Sequence, residues 1–235
     1  MSGPAPEHAG AVAAARAHLE GRGEAPLGPL PAGFPEARLA LHRVAEDVLK
    51  PKRELETGNE IALRFTPGGF GTPPWDAGLA SGVAGEARVE GTDLVIVTGA
   101  EVARTPLADP AISPEAVAAV ADWFAFGTVV LADLIDARRD AGASPIRLWP
   151  EHFDVATEVG SEADGTRATA GASPGDENHP EPYLYVGPWS APTAGPLWNA
   201  TGFTGAEVGH GELLGAVDQY GAAAGFFAGR LDAIA

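Results

Sequence analysis

Apolar positions along this chain follow two periods. Recurrence every three or four residues predicts helices. Alternation, or short apolar runs bounded by turn residues, predicts strands. Residues 7–21 are alanine-rich and predict a helix loosely attached to the rest, followed by a Pro/Gly linker over 23–35. Pro35 suits the first turn of a second helix, with Leu39, Leu41, Val44 and Val48 on its apolar side. Pro51 should end or kink that helix, because it lacks an N–H and its ring crowds the preceding turn. The longest apolar stretch, 116–135, predicts a helix capped by Ser113, opened by Pro114 and ending near Arg139. A closing helix is expected over 211–234.

Strands are expected at 60–65, 85–90, 93–98, 145–149, 166–172 and 182–186, with an edge strand at 203–208. Gly91-Thr92 marks a hairpin between the second and third of these. Residues 66–75, Thr-Pro-Gly-Gly-Phe-Gly-Thr-Pro-Pro-Trp, carry too many breakers for a helix or a central strand. Residues 151–159 fit neither pattern. Strands and helices are segregated rather than alternating. That order predicts an α+β fold, with an antiparallel or mixed sheet packed against the 114–139 and 211–234 helices. Residues 1–34 form an appendage and 35–235 one domain. Halves at 35–140 and 145–235 are suggested by the echo of Thr66-Pro-Gly-Gly in Ser173-Pro-Gly-Asp, a match short enough for chance to explain.

The apolar 116–135 stretch is long enough to span a bilayer. Asp122 and Asp133 interrupt it on nearly one face, which reads instead as a solvent stripe on a buried helix. Net charge is −17, from 15 basic and 32 acidic residues, so phosphate backbones and anionic membranes would be repelled. Neither nucleic acid nor a membrane is an expected partner. The absence of cysteine excludes disulfides, thiolate metal sites and cysteine nucleophiles. With no apolar leader in the first ten residues, a cytoplasmic location is expected.

Three motifs bear on chemistry. Gly171-Ala-Ser173-Pro-Gly175 matches the G-x-S-x-G nucleophile elbow, but Pro174 removes the N–H that the oxyanion hole needs. A hydrolase acting through Ser173 is therefore disfavoured. Gly68-Gly-Phe-Gly71 lacks the lysine and the helix start of a phosphate loop; it reads as a structured inter-strand loop with Phe70 and Trp75 tucked onto the core, or as a lid or wall through which Phe70 and Trp75 line a pocket. The third motif pairs Trp149-Pro-Glu-His152-Phe-Asp154 with Asp176-Glu-Asn-His179-Pro-Glu181. In extended segments, residues two apart point the same way, so His152 pairs with Asp154 and His179 with Glu181. Two imidazoles and a carboxylate are a ligand set for zinc, manganese or iron. Phe153, Tyr183 and Tyr185, with Trp149, would line the pocket around it. The same histidines suit acid–base work, or simply tie two irregular loops together by hydrogen bonds.

The phrases Leu148-Trp-Pro-Glu-His-Phe-Asp-Val-Ala156, Ala172-Ser-Pro-Gly-Asp176 and His179-Pro-Glu-Pro-Tyr-Leu-Tyr185 resemble a family of actinobacterial proteins of unknown function. Leu41-His-Arg-Val-Ala-Glu46 and Thr66-Pro-Gly-Gly-Phe-Gly-Thr-Pro73 resemble its N-terminal part. The resemblance covers most of the chain beyond Pro35. It implies an intracellular bacterial protein and assigns no activity. The sequence thus leads to a small-ligand site at the 149–189 loops, with His152, Asp154, Asp176, His179 and Glu181 as metal ligands. The competing reading is a non-enzymatic module whose acidic surface recruits a basic partner.

Overall fold

The computed structural model describes residues 6–58, 62–78 and 80–235. Helices α1 (Pro6–Leu19), α2 (Phe34–Val44) and α3 (Lys50–Thr57) come first. Strands β1 (Arg64–Thr66), β2 (Gly69–Gly71), β3 (Gly85–Glu90), β4 (Asp93–Thr98) and β5 (Glu101–Pro106) follow, then α4 (Pro114–Ala137). The second half holds β6 (Arg147–Trp149), β7 (Asp154–Val159), β8 (Ala168–Ser173), β9 (Tyr183–Pro188) and β10 (Ala206–Gly209), then α5 (His210–Leu214) and α6 (Gln219–Asp232). Each set of five strands is an antiparallel meander, its strands adjacent in chain order.

The α+β class and antiparallel pairing agree with the sequence. The single sheet and the second long helix do not. There are two sheets, and the expected 211–234 helix is broken into α5 and α6. Asp218 sits in an extended conformation and accepts a hydrogen bond from the Gly221 N–H, which starts α6 afresh.

The sheets meet edge to edge at one bridge. Leu63 and Leu148, both buried, exchange backbone hydrogen bonds of 2.8 and 2.9 Å. Helix α4 lies over this junction, in contact with β1, β2, β7 and β8. Gly127 lets it seat closely, since a Cβ there would stand 2.5 Å from the Ala172 Cβ. The 18-residue window that makes α4 apolar enough to cross a membrane is 72% buried inside the fold.

Helix α1 is docked rather than loose. Ala11, Ala15 and Leu19 are buried, and α1 packs on α4 and β1. The acidic positions read as a solvent stripe on α4 receive it. His18 and Arg22 reach Asp122 at 2.7 and 2.6 Å, and Arg16 reaches Asp133 at 2.5 Å. Burial alone would raise the Asp122 pKa, but the hydrogen bonds from His18 and Arg22 outweigh it and hold the carboxyl below its ordinary value.

In α2 the buried face runs through Phe34, Ala37, Arg38 and Leu41, then Ala45 and Leu49, while Val48 is exposed. Pro51 does not end the helix. A π-helical turn, Ala45–Leu49, absorbs the lost hydrogen bond, and helix continues to a left-handed Gly58.

The 66–75 segment contains a central strand, contrary to expectation. Strand β2 pairs with both β1 and β3. Its glycines make this possible, because a Cβ at Gly69 would lie 2.3 Å from the Val89 carbonyl oxygen. Strand β5 shows no alternation because all six residues are exposed. The expected 60–65 strand begins only at Arg64, and residues 59–61 lie outside the described part.

Candidate functional site

The second sheet has two unlike faces. Ala168, Ala170 and Ala172 on β8, with Leu184 and Val186 on β9, are fully buried on the α4 side. Strand alternation sends Thr169, Gly171 and Ser173, with Tyr183, Tyr185 and Gly187, to the opposite face. Over that face lies a pocket of about 570 Å³. Its lining includes Trp149, His152, Asp154, Ser173, Asp176, Tyr183 and Tyr185, joined by His42 from α2 and Phe203 from the segment before β10.

The turn before β7 sets the floor. The Phe153 N–H donates to the Trp149 carbonyl at 2.7 Å, and Phe153 itself is left-handed, with φ 51°. A bulky residue rarely holds that conformation. It is held here by burial: the ring packs edge-on to Phe70 at 4.9 Å and Phe124 at 5.1 Å, and stacks on His42 at 5.2 Å. The turn drives Phe153 into the core and delivers Asp154 to the pocket.

Asp154 is 4% exposed. Its Oδ2 accepts a short hydrogen bond from the Tyr185 hydroxyl, and its Oδ1 has no partner among the described residues. Burial pushes its pKa up to about 6; the Tyr185 hydroxyl and the nearby His152 only partly offset this. Burial and the Asp154 charge in turn push the Tyr185 hydroxyl well above its ordinary value. Gly171 makes room for the phenol. It pairs with Tyr185 across the strands, and a Cβ there would fall 2.4–2.6 Å from three atoms of that side chain.

The loop after β8 closes one side. Asp176 Oδ1 accepts the N–H groups of Asn178 and His179 at 2.7 and 2.9 Å, and Oδ2 accepts the Tyr183 hydroxyl at 2.8 Å. Burial opposes the charge on Asp176, but these hydrogen bonds prevail and lower its pKa. Burial, followed by Asp176, raises that of Tyr183. Arg38, 2% exposed, donates from Nη2 to the Asp176 carbonyl oxygen at 2.8 Å and anchors the loop to α2.

The five residues expected to bind a metal separate. His152 and Asp154 lie on the β7 side and Asp176 on the opposite loop, all three lining the pocket. His179 does not line it. That ring lies between two carboxylates, with Nδ1 3.2 Å from Asp176 on the loop and Nε2 3.2 Å from Glu207 on β10. Glu181 is exposed outside the pocket. Among the described residues, no three His, Asp or Glu side chains converge closely enough to hold a metal ion.

Of the expected aromatic lining, Trp149, Tyr183 and Tyr185 are in place. Phe153 and Phe70 are core residues instead. Trp75 is also buried, its indole N–H bonded to the Val83 carbonyl at 3.1 Å over Gly85, where a Cβ would strike the ring. The Ser173 Oγ accepts the Gly175 N–H at 3.1 Å in a tight turn, with Pro174 where an oxyanion donor would stand. His42 escapes sequence reasoning because its helical surroundings look ordinary. Its Nε2–H donates to the Pro150 carbonyl at 2.9 Å, steadying the 149–153 turn. Compared with protein-family models, characterised proteins and solved structures, the chain matches none.

Proposed function

We propose that this protein binds a small organic molecule in the pocket over β7, β8 and β9, with Asp154 as the anchoring group. One observation carries the reading: a buried carboxyl lines the pocket, and one of its oxygens has no hydrogen-bond partner among the described residues. Leaving such an oxygen buried and unpaired costs about 1–3 kcal/mol, more if it is charged. A hydrogen-bond donor brought by a ligand would complete the arrangement. The volume of about 570 Å³ suits a compact metabolite. Aromatic walls with a few fixed polar groups are the usual composition of such sites.

The test is a thermal-shift screen of the full chain against a metabolite library. A true ligand at a hundredfold excess over its Kd stabilises by about 2.7 kcal/mol. For a chain of this size that raises Tm by roughly 5–10 °C. The shift should vanish in Asp154→Asn and in Trp149→Ala. A hit that shifts both variants equally would place binding elsewhere, and a library with no hit would count against the reading.

A second reading rests on the same carboxyl. A pKa of about 6 puts Asp154 where a general base works near neutral pH. Turnover of a screening hit, with a rate that falls on acidification through pH 6 and is abolished in Asp154→Asn, would convert the binding site into an active site.

A further inference from the structure

We infer that the pocket selects a protonated primary or secondary amine carried on an apolar or aromatic body. This rests on the ligand-pocket reading above and narrows it to one chemical class.

The first argument is charge. The lining holds four carboxylates, Glu151, Asp154, Glu158 and Asp176, and no lysine or arginine. His42 commits its Nε2–H to the Pro150 carbonyl, and His152 is exposed and makes no hydrogen bond to Asp154 among the described residues. An anionic ligand would meet Asp154 and Asp176 with no lysine or arginine among the lining residues to balance them.

The second argument is which acid remains unmatched. Glu151 is paired with Lys50 at 2.7 Å and Glu158 with Arg167. Asp176 accepts two N–H groups and a phenol, with the His179 ring beside it. Among the described residues, the hydrogen bond Asp154 accepts comes from a neutral hydroxyl, on Oδ2, and nearby His152 offsets its burial only in part. The unpaired Oδ1 asks for a donor, and the carboxylate asks for a positive charge. An ammonium N–H supplies both. A quaternary ammonium brings charge without a donor, and an alcohol brings a donor without charge.

The third argument is the wall. Trp149, Tyr183, Tyr185 and Phe203 line the same pocket as the acid, with Tyr183 and Tyr185 at 6.1 Å and Tyr185 and Phe203 at 6.0 Å between ring centroids. Aromatic faces beside a carboxylate attract organic cations through the ring quadrupole. They also bury the hydrocarbon part of the ligand. The carboxylate sets the charge selected, and the rings set the kind of body that carries it.

Three probes of similar shape separate the possibilities: phenethylamine, phenethyl alcohol and 3-phenylpropionate, each titrated calorimetrically into the full chain at pH 7.5. The amine should bind tightest, by roughly tenfold or more over the alcohol, as expected for a hydrogen bond to a charged group. Asp154→Asn should remove that preference while leaving alcohol binding in place. Equal or tighter binding of the alcohol or the carboxylate overturns the amine assignment but keeps the pocket, provided Trp149→Ala abolishes it. Amine binding unchanged in Asp154→Asn overturns the assignment as well. If none of the three binds while the metabolite screen yields a hit sensitive to Trp149→Ala, the amine assignment falls and the pocket reading stands. If the screen also fails, both fall.

Discussion

At the scale of single residues, Asp154 is where stability and function pull apart. Its carboxyl is shielded from water, so the folded state prefers the proton. The folded pKa of about 6 lies above the ordinary 3.8. Between those values the native protein binds the proton more tightly than the unfolded chain does. Stability is therefore greatest below pH 4 with respect to this group, and is lost as pH rises through about 6. The rise corresponds to about 3 kcal/mol. Asp154→Asn removes the titration and keeps an acceptor for the Tyr185 hydroxyl. Urea unfolding should find the Asp154→Asn variant more stable than the parent by about 2–3 kcal/mol at pH 7.5 and indistinguishable near pH 4. An advantage that persists unchanged at pH 4 would show that desolvation of the charge is not the cause. The aromatic and acidic cluster was legible in the sequence as a set of residue types. The left-handed Phe153 was not, because nothing local distinguishes it. Its conformation is imposed by Phe70, Phe124 and His42, which come from distant parts of the chain.

At the scale of elements, glycines decide how closely the layers approach. Gly171 leaves the space that the Tyr185 phenol fills on its way to Asp154. Gly171→Ala should cost about 1–3 kcal/mol by overpacking. If the ring is the cause, the penalty should largely disappear in a Tyr185→Leu background, and a double-mutant cycle measures this directly. A penalty equal in both backgrounds would point to the strand backbone instead. Gly127 has the parallel role between α4 and β8, and Gly127→Val should destabilise more, because Ala172 has no flexible side chain to withdraw. The same reasoning explains which elements the sequence revealed. Helix α4 and the β3–β4 hairpin carry strong local signals: Ser113-Pro114 and a long apolar run in one, Gly91 between alternating strands in the other. Strand β2 was hidden because its glycines read as loop, although they are what admits the neighbouring strand. Strand β5 was hidden because an exposed edge needs no apolar face. Half of the pocket was likewise visible only once β8 and β9 were paired, since Gly171 has no meaning without Tyr185 opposite.

At the scale of the whole molecule, two five-stranded meanders share one helix. Helix α4 follows the first sheet in the chain, yet it contacts β7 and β8 of the second as well as β1 and β2 of the first. Phe124 shows the sharing most clearly, touching Phe70 from β2 and Phe153 from the turn before β7. The bridge between Leu63 and Leu148 adds a backbone link at the same place. Neither half can therefore bury its apolar face alone. Residues 145–235 without α4 would expose Val155, Ala168, Ala170, Ala172, Leu184 and Val186, all of which are essentially inaccessible in the whole chain. Exposed strand faces of that kind aggregate. The full protein should unfold in one transition, with far-ultraviolet circular dichroism and tryptophan fluorescence tracing coincident urea curves. The probes report from different places. Trp75 sits beside the first sheet, Trp123 on α4, and Trp149 and Trp189 in the second half, so a half that melted independently would separate the curves. Two resolved transitions would mean that the contacts of α4 with one of the sheets contribute little. The pocket on the far face of β8 and β9 would then rest on a platform that can open without unfolding the rest. Coincident curves would instead make ligand binding at Asp154 a brake on unfolding of the entire chain, including α1, which packs on α4 and β1 and is paired to α4 at Asp122 and Asp133.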